Sequence, residues 1–169
     1  MHRIAPTLLA LVGLLVPGLP ASPQDWETNR ATLNGLPGVY VVVEKFKEAK
    51  KQAGFDESTF QTDVELKLRM AGIKVLSEQE FRVSPVRPWL YLMVNAAHSQ
   101  PDELACFSLL LEMNQRVHLA SNGALTTGVT WSTGSLGRGD LSDVRTAVKD
   151  RVDAFINAWL SVNPKEQGP

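Results

Sequence analysis

The sequence predicts an α+β domain: a mostly antiparallel sheet of about five strands with two main helices packed on one face. Three observations carry that expectation. Val144, Val148, Val152, Phe155, Trp159 and Val162 recur at helical steps, widened by Ile156 and Leu160, so residues 141–162 form a helix with one apolar stripe. Phe60, Val64, Leu68 and Ala71 repeat that spacing over residues 56–71. The other apolar runs are β-branched or alternate with polar residues, which is the period of strands.

Taken in order, residues 22–32 are polar, carry Pro23 and show no period, so they read as a flexible lead-in with Trp26 the residue suited to docking. Pro37-Gly38 sets a stop before Val39 to Val43, a β-branched strand that runs out into Lys45, Lys47, Lys50 and Lys51, interleaved with Glu44 and Glu48. That mixed-charge stretch reads as a solvated surface. In the first helix Ser58 and Gln61 fit a capping box, Asp56 and Glu57 face the positive helix end, and Gly72 supplies the left-handed stop. Ile73 to Leu76 begins a strand at once.

Pro85 and Pro88 bracket a turn before Trp89 to Ala97, apolar on both faces and therefore a central strand. A polar turn, His98 to Glu103, leads to Ala105–Leu119. There Phe107, Leu109, Leu111, Met113, Val117 and Leu119 point one way, and Ser108, Glu112, Asn114, Arg116 and His118 the other. Ser121-Asn122-Gly123 turns the chain into a strand over Leu125–Ser132. Thr133 to Asp140 reads as a glycine-rich loop before the last helix, which Asn163-Pro164 ends. The expected organisation is a leader over 1–21, one domain over 33–164 and a disordered tail over 165–169.

The leader is a secretory signal peptide by composition. His2 and Arg3 precede an apolar run from Leu8 to Val16, and Pro17, Gly18 and Pro20 break it ahead of Ala21. The run is too short to span a bilayer, and no second apolar segment of about twenty residues follows. The expectation is a soluble exported protein, periplasmic or extracellular. Cys106 is the only cysteine and lies far from Ala21, so neither a lipid anchor nor an internal disulfide is expected. Without Arg3 the chain holds 16 basic and 18 acidic residues, a net charge of −2 that offers no footprint for nucleic acid.

The residue types needed for common chemistries do not assemble. Gly134, Ser135, Gly137, Arg138 and Gly139 stand between a strand and a helix, where glycines let backbone N–H groups approach an anion or a partner. Their spacing matches neither the dinucleotide fingerprint nor the P-loop. No histidine follows Ser135 to act as its base. His98 with Asp102 and Glu103 is the one grouping with metal-ligand chemistry, and it lies in a solvated turn. Cys106 lacks a cationic neighbour in sequence and reads as a buried thiol, while His118 beside Arg116 reads as solvent-facing. Trp89, Trp131 and Trp159 are candidates to line a cavity between sheet and helices.

The segments 34–44 and 62–75, with Leu111-Glu112-Met113-Asn114-Gln115, Thr130-Trp131-Ser132 and Val162-Asn163-Pro164, resemble a family of uncharacterised exported bacterial proteins. The element order also resembles, more loosely, periplasmic domains of the curli secretion channel, the lipoprotein activators of penicillin-binding proteins and the amino-terminal domain of TolB. That resemblance implies work by protein contact in the envelope. The functional expectation is a non-enzymatic accessory domain that binds another envelope protein and uses no cofactor or metal. The alternative is small-ligand or lipid binding in the tryptophan-lined cavity. The sequence leaves the oligomeric state open.

Overall fold

A computed structural model of the chain describes residues 25–45, 56–97 and 105–164. The leader over 1–21, Lys47, Lys50 and Lys51, the grouping of His98, Asp102 and Glu103, and the tail over 165–169 lie outside the described residues. The elements run α1 (Glu27–Ala31), β1 (Tyr40–Val43), α2 (Glu57–Met70), α3 (Glu78–Val83), β2 (Trp89–Ala97), β3 (Ala105–His118), β4 (Leu125–Gly139) and α4 (Leu141–Val162). This is an α+β fold, with the strands in spatial order β1-β2-β3-β4.

The sheet differs from the expected one in number and direction. It has four strands and is mixed, because β1 runs parallel to β2 while β2–β3 and β3–β4 are antiparallel. A parallel pair needs a crossover, and α2 lies in the one that joins β1 to β2. The strand expected over Ile73–Leu76 shrinks to one bridge, Val39 to Val75. Its backbone is spent on anchoring: Val39 N–H donates to Lys74 O at 2.9 Å and Leu76 N–H to Val39 O at 2.8 Å. Gly38 permits that approach, since at φ 140° a Cβ there would stand 2.5 Å from Lys74 O. Ser77 then starts α3 at once through a capping box with Glu80, a helix absent from the sequence reading although Ser77-x-x-Glu80 is its signature.

Period two and period 3.6 meet in one core. Val41, Leu90, Leu92, Val94, Leu109, Leu111, Met113 and Trp131 line the inner sheet face, and Phe60, Val64 and Leu68 of α2 pack there with Val144, Val148, Val152 and Phe155 of α4. Both long helices therefore cover the same face. The cap of α2 is Asp56, whose carboxylate accepts from Thr59 N–H at 2.9 Å; Gln61 instead donates to Glu65, so the Ser58–Gln61 box does not form. Hydrogen bonds from Ser58 and Thr59 hold the Asp56 carboxyl down at about 2. Gly72, at φ 83°, ends the helix as expected.

Two further stretches correct the sequence reading. The expected flexible lead-in is ordered from Asp25 onward: Arg30 grips Asp25 through Nε and Nη2, each at 2.8 Å, and Asn29 donates to Thr130 O at 2.8 Å. The expected glycine-rich loop is the second half of β4, in register with β3 from Thr133↔Leu111 to Gly139↔Ala105. Glycine serves close packing there, not a turn. A Cβ on Gly137 would lie 2.3 Å from Cζ of the Phe107 ring, so the ring occupies the missing side chain's place. A register shift at Met113/Asn114 bends this long ribbon before its last residues.

Candidate functional site

The residues singled out from sequence do not converge. Ser135 and Gly137 stand on the inner side of β4, opposite Leu109 and Phe107, while Gly134 and Arg138 pair with Leu110 and Cys106 on the outer side. The amino terminus of α4 carries its own anions: Asp140 accepts from Ser142 and Asp143 N–H, and the Asp143 carboxylate accepts from Asp140 N–H at 2.9 Å. An external anion would meet two carboxylates at that helix end. Trp131 and Trp159 belong to the packed core, where Phe155 meets Trp131 edge to face at 5.2 Å and Trp159 in a tilted contact at 6.0 Å. Trp89 lies on the opposite face of the sheet, so the three tryptophans share no cavity. Cys106 is exposed rather than buried and stands across from Arg138. His118 is exposed, with Nδ1 3.1 Å from Gly123 O.

What the fold does assemble is the outer face of the sheet. Alternation that buries one side of each strand leaves Tyr40, Trp89, Tyr91, Met93, Leu110, Leu125, Val129 and Leu136 on the other. Among the described helices α3 reaches it, where Phe81 stacks on Tyr40 at 4.9 Å and meets Trp89 edge-on at 5.9 Å. Leu125, Val129 and Leu136 along β4 are 53, 40 and 72% exposed. Glu112 is the central charge, and burial pushes its carboxyl up. Opposite it, burial and then the Glu44 carboxylate raise the Tyr91 phenol. Among the described residues β4 has one sheet neighbour, and only the side chains of Asn29 and Arg151 reach its carbonyls, at Thr130 and Gly134.

At one end of that face lies a cleft of about 450 Å³. Phe81 and Trp89 form an aromatic wall, Leu125, Thr126 and Thr127 the rim, and Arg87 and Arg116 the charged part. Both arginines line one cleft because Arg116 N–H donates to Val86 O at 2.8 Å, which ties the 84–88 turn to β3. Arg87 follows with φ 41°, and it is the one non-glycine residue in the left-handed region among those described. Neither guanidinium has an ion pair or side-chain hydrogen bond among the described residues. The described residues hold no grouping of three or more His, Cys, Asp or Glu able to bind a metal ion, and no helix long and apolar enough to cross a membrane.

No family model and no curated protein matches the chain. Among solved structures, it is similar to the PelC dodecamer of Paraburkholderia phytofirmans, here a variant crystal form, at 16% identity and a TM-score of 0.42, covering 69% of this chain and 87% of that one. The PelC dodecamer of the same organism without that variant's substitution, in another crystal form, gives 15% identity and a TM-score of 0.38, over 72% of this chain and 86% of the other. Neither is among the proteins that the sequence resembles, and likeness this remote carries no function across.

Proposed function

We propose that this chain is an exported, non-enzymatic accessory domain that binds another protein of the cell envelope through the outer face of its sheet and the free edge of β4. One observation carries the reading: Leu125, Val129 and Leu136 stand exposed in a row on the edge strand, next to an apolar centre at Met93 and Leu110. Exposed apolar side chains along one sheet face mark contact sites, and a long edge with a single neighbour among the described residues is a template for an added strand. Export is inferred from the leader, and the resemblance to exported bacterial proteins supports it.

The test is positional crosslinking in cells. A photoreactive residue at Leu136 or Val129 is expected to trap one defined envelope protein, and the same probe at Met70, exposed on the helical layer, is not. L136D should abolish the product while the domain stays folded. Equal products from both faces, or none from β4, would sink the reading. Failure of residues 1–21 to direct a reporter across the inner membrane would sink its export half.

A further inference from the structure

We propose that the cleft between the 84–88 turn and the β3–β4 ribbon binds a small carboxylate attached to a flat or pyranose ring. This goes beyond the partner-binding reading, because it concerns a concave site and not the edge strand.

The chemistry of the lining selects the ligand. Arg87 and Arg116 place two permanent positive charges in one cleft with no acidic partner among the described residues. Like charges so placed repel each other, and a bound anion removes that repulsion while guanidinium forks match a carboxylate with paired hydrogen bonds. The other wall is apolar and rigid. Trp89 is braced edge-on by Phe81, which in turn stacks on Tyr40, so the indole is held in place before any ligand arrives. A ring can lie against that wall, with Thr127, paired across from Arg116, on the same face of the ribbon. The volume of about 450 Å³ suits a ligand of one or two rings.

Backbone strain singles out Arg87. A bulky residue at φ 41° is disfavoured, and nothing in the turn's own hydrogen bonding uses its side chain. Glycine would relax that position. The strain also separates function from folding in the test, because R87G removes the charge and suits the backbone.

Titration calorimetry on the purified chain decides, with digalacturonate and 1-naphthoate as probes, each beside its neutral counterpart, galactobiose and 1-naphthalenemethanol. The expected result is that at least one acid binds about tenfold or more tighter than its neutral counterpart, and which one does so separates sugar acids from aromatic acids. R116Q and R87G should each weaken that binding by about tenfold, the loss expected for one charge-assisted pair, while R87G melts no lower than the parent. Absence of binding by both acids, equal binding of acid and neutral forms, or unchanged affinity in R116Q would overturn the proposal. None of these results bears on crosslinking at Leu136, so the two readings fail separately.

Discussion

The indole Nε1 of Trp131 donates to Oδ1 of Asp25 at 2.6 Å, across 106 residues of chain. Trp131 is fully buried in the core, and its one polar atom needs an acceptor there. Asp25 supplies it from a segment with no periodicity of its own. Arg30 donates to both oxygens of the same carboxylate, so α1 is tied to the core by polar contacts with little apolar burial of its own.

Asp25→Ala is therefore expected to destabilise the domain by about 1–3 kcal/mol, the range for leaving a buried donor unsatisfied. Burial raises the Asp25 carboxyl, but the hydrogen bonds from Arg30 and Trp131 and the guanidinium charge outweigh it, and the net shift is below 3.8. A depressed acid contributes stability that is complete above its unfolded value and is lost as pH falls through its folded value. The difference between wild type and D25A in urea unfolding should thus be constant above about pH 5 and shrink below 3.8. Because the two side chains share one bond, W131F should remove most of the effect of D25A in a double-mutant cycle.

This contact also marks where sequence reasoning stops. The long helices, β2 and β3 are legible because their apolar periods extend over many residues, and the stripe from Val144 to Trp159 lies buried as expected. The segment 25–31 is held by hydrogen bonds to distant residues, Trp131 to Asp25 and Asn29 to Thr130, which leave no periodic trace. Gly134, Gly137 and Gly139 look like a loop in isolation; their pairing with β3 shows them as strand, with the Phe107 ring over Gly137 and the Asp143 side chain over Gly139. The cleft was hidden for the same reason. Arg87 and Arg116 become neighbours through the Val86–Arg116 backbone hydrogen bond, a register fact with no local signal. The Ser77-x-x-Glu80 and Asp140-x-x-Asp143 boxes, by contrast, stand in the sequence itself.

Gly137→Ala tests the strand assignment directly. The added methyl would sit 2.3 Å from the Phe107 ring, which must move within a packed core. The expected loss is about 1–3 kcal/mol, as for overpacking. Phe107→Leu should relieve the clash, making G137A less harmful in F107L than in the parent by urea unfolding. An equal effect of G137A in both backgrounds would mean that the ring does not fill the space over Gly137.

Glu112 gives a pH effect of the opposite sign. Burial on the outer face raises its carboxyl above 4.5, so the folded state holds the proton more tightly than the unfolded chain. Ionisation then opposes folding: the penalty is complete above the folded pKa, falls as pH drops through it, and vanishes below 4.5. Glu112→Gln is accordingly expected to raise the melting temperature at pH 7 and leave it unchanged at pH 4. Scanning calorimetry at the two pH values checks both arms, and a lower melting temperature at pH 7 would show that the ionised carboxylate has a favourable partner.

The cap of α3 controls the aromatic wall of the cleft. Ser77 accepts from Glu80 N–H, and the Glu80 carboxylate accepts from Ser77 N–H at 2.8 Å while Lys74 holds it from outside. The helix has six residues and buries none of them fully, so its short ladder depends on this reciprocal cap more than a long helix would. Ser77→Ala should fray α3 and release Phe81 from Tyr40 and Trp89. Trp26, Trp131 and Trp159 lie outside this contact, so a red shift in tryptophan emission that is lost in a W89F background isolates Trp89. The melting temperature should change little, because the core beneath the inner face is untouched. Lys74, then Ser77, hold the Glu80 carboxyl at about 2, so the cap should survive acidification to about pH 3 and fail only below it. A shift of Trp89 emission near pH 4.5, the ordinary value for a glutamate, would show that this cap does not fix the wall.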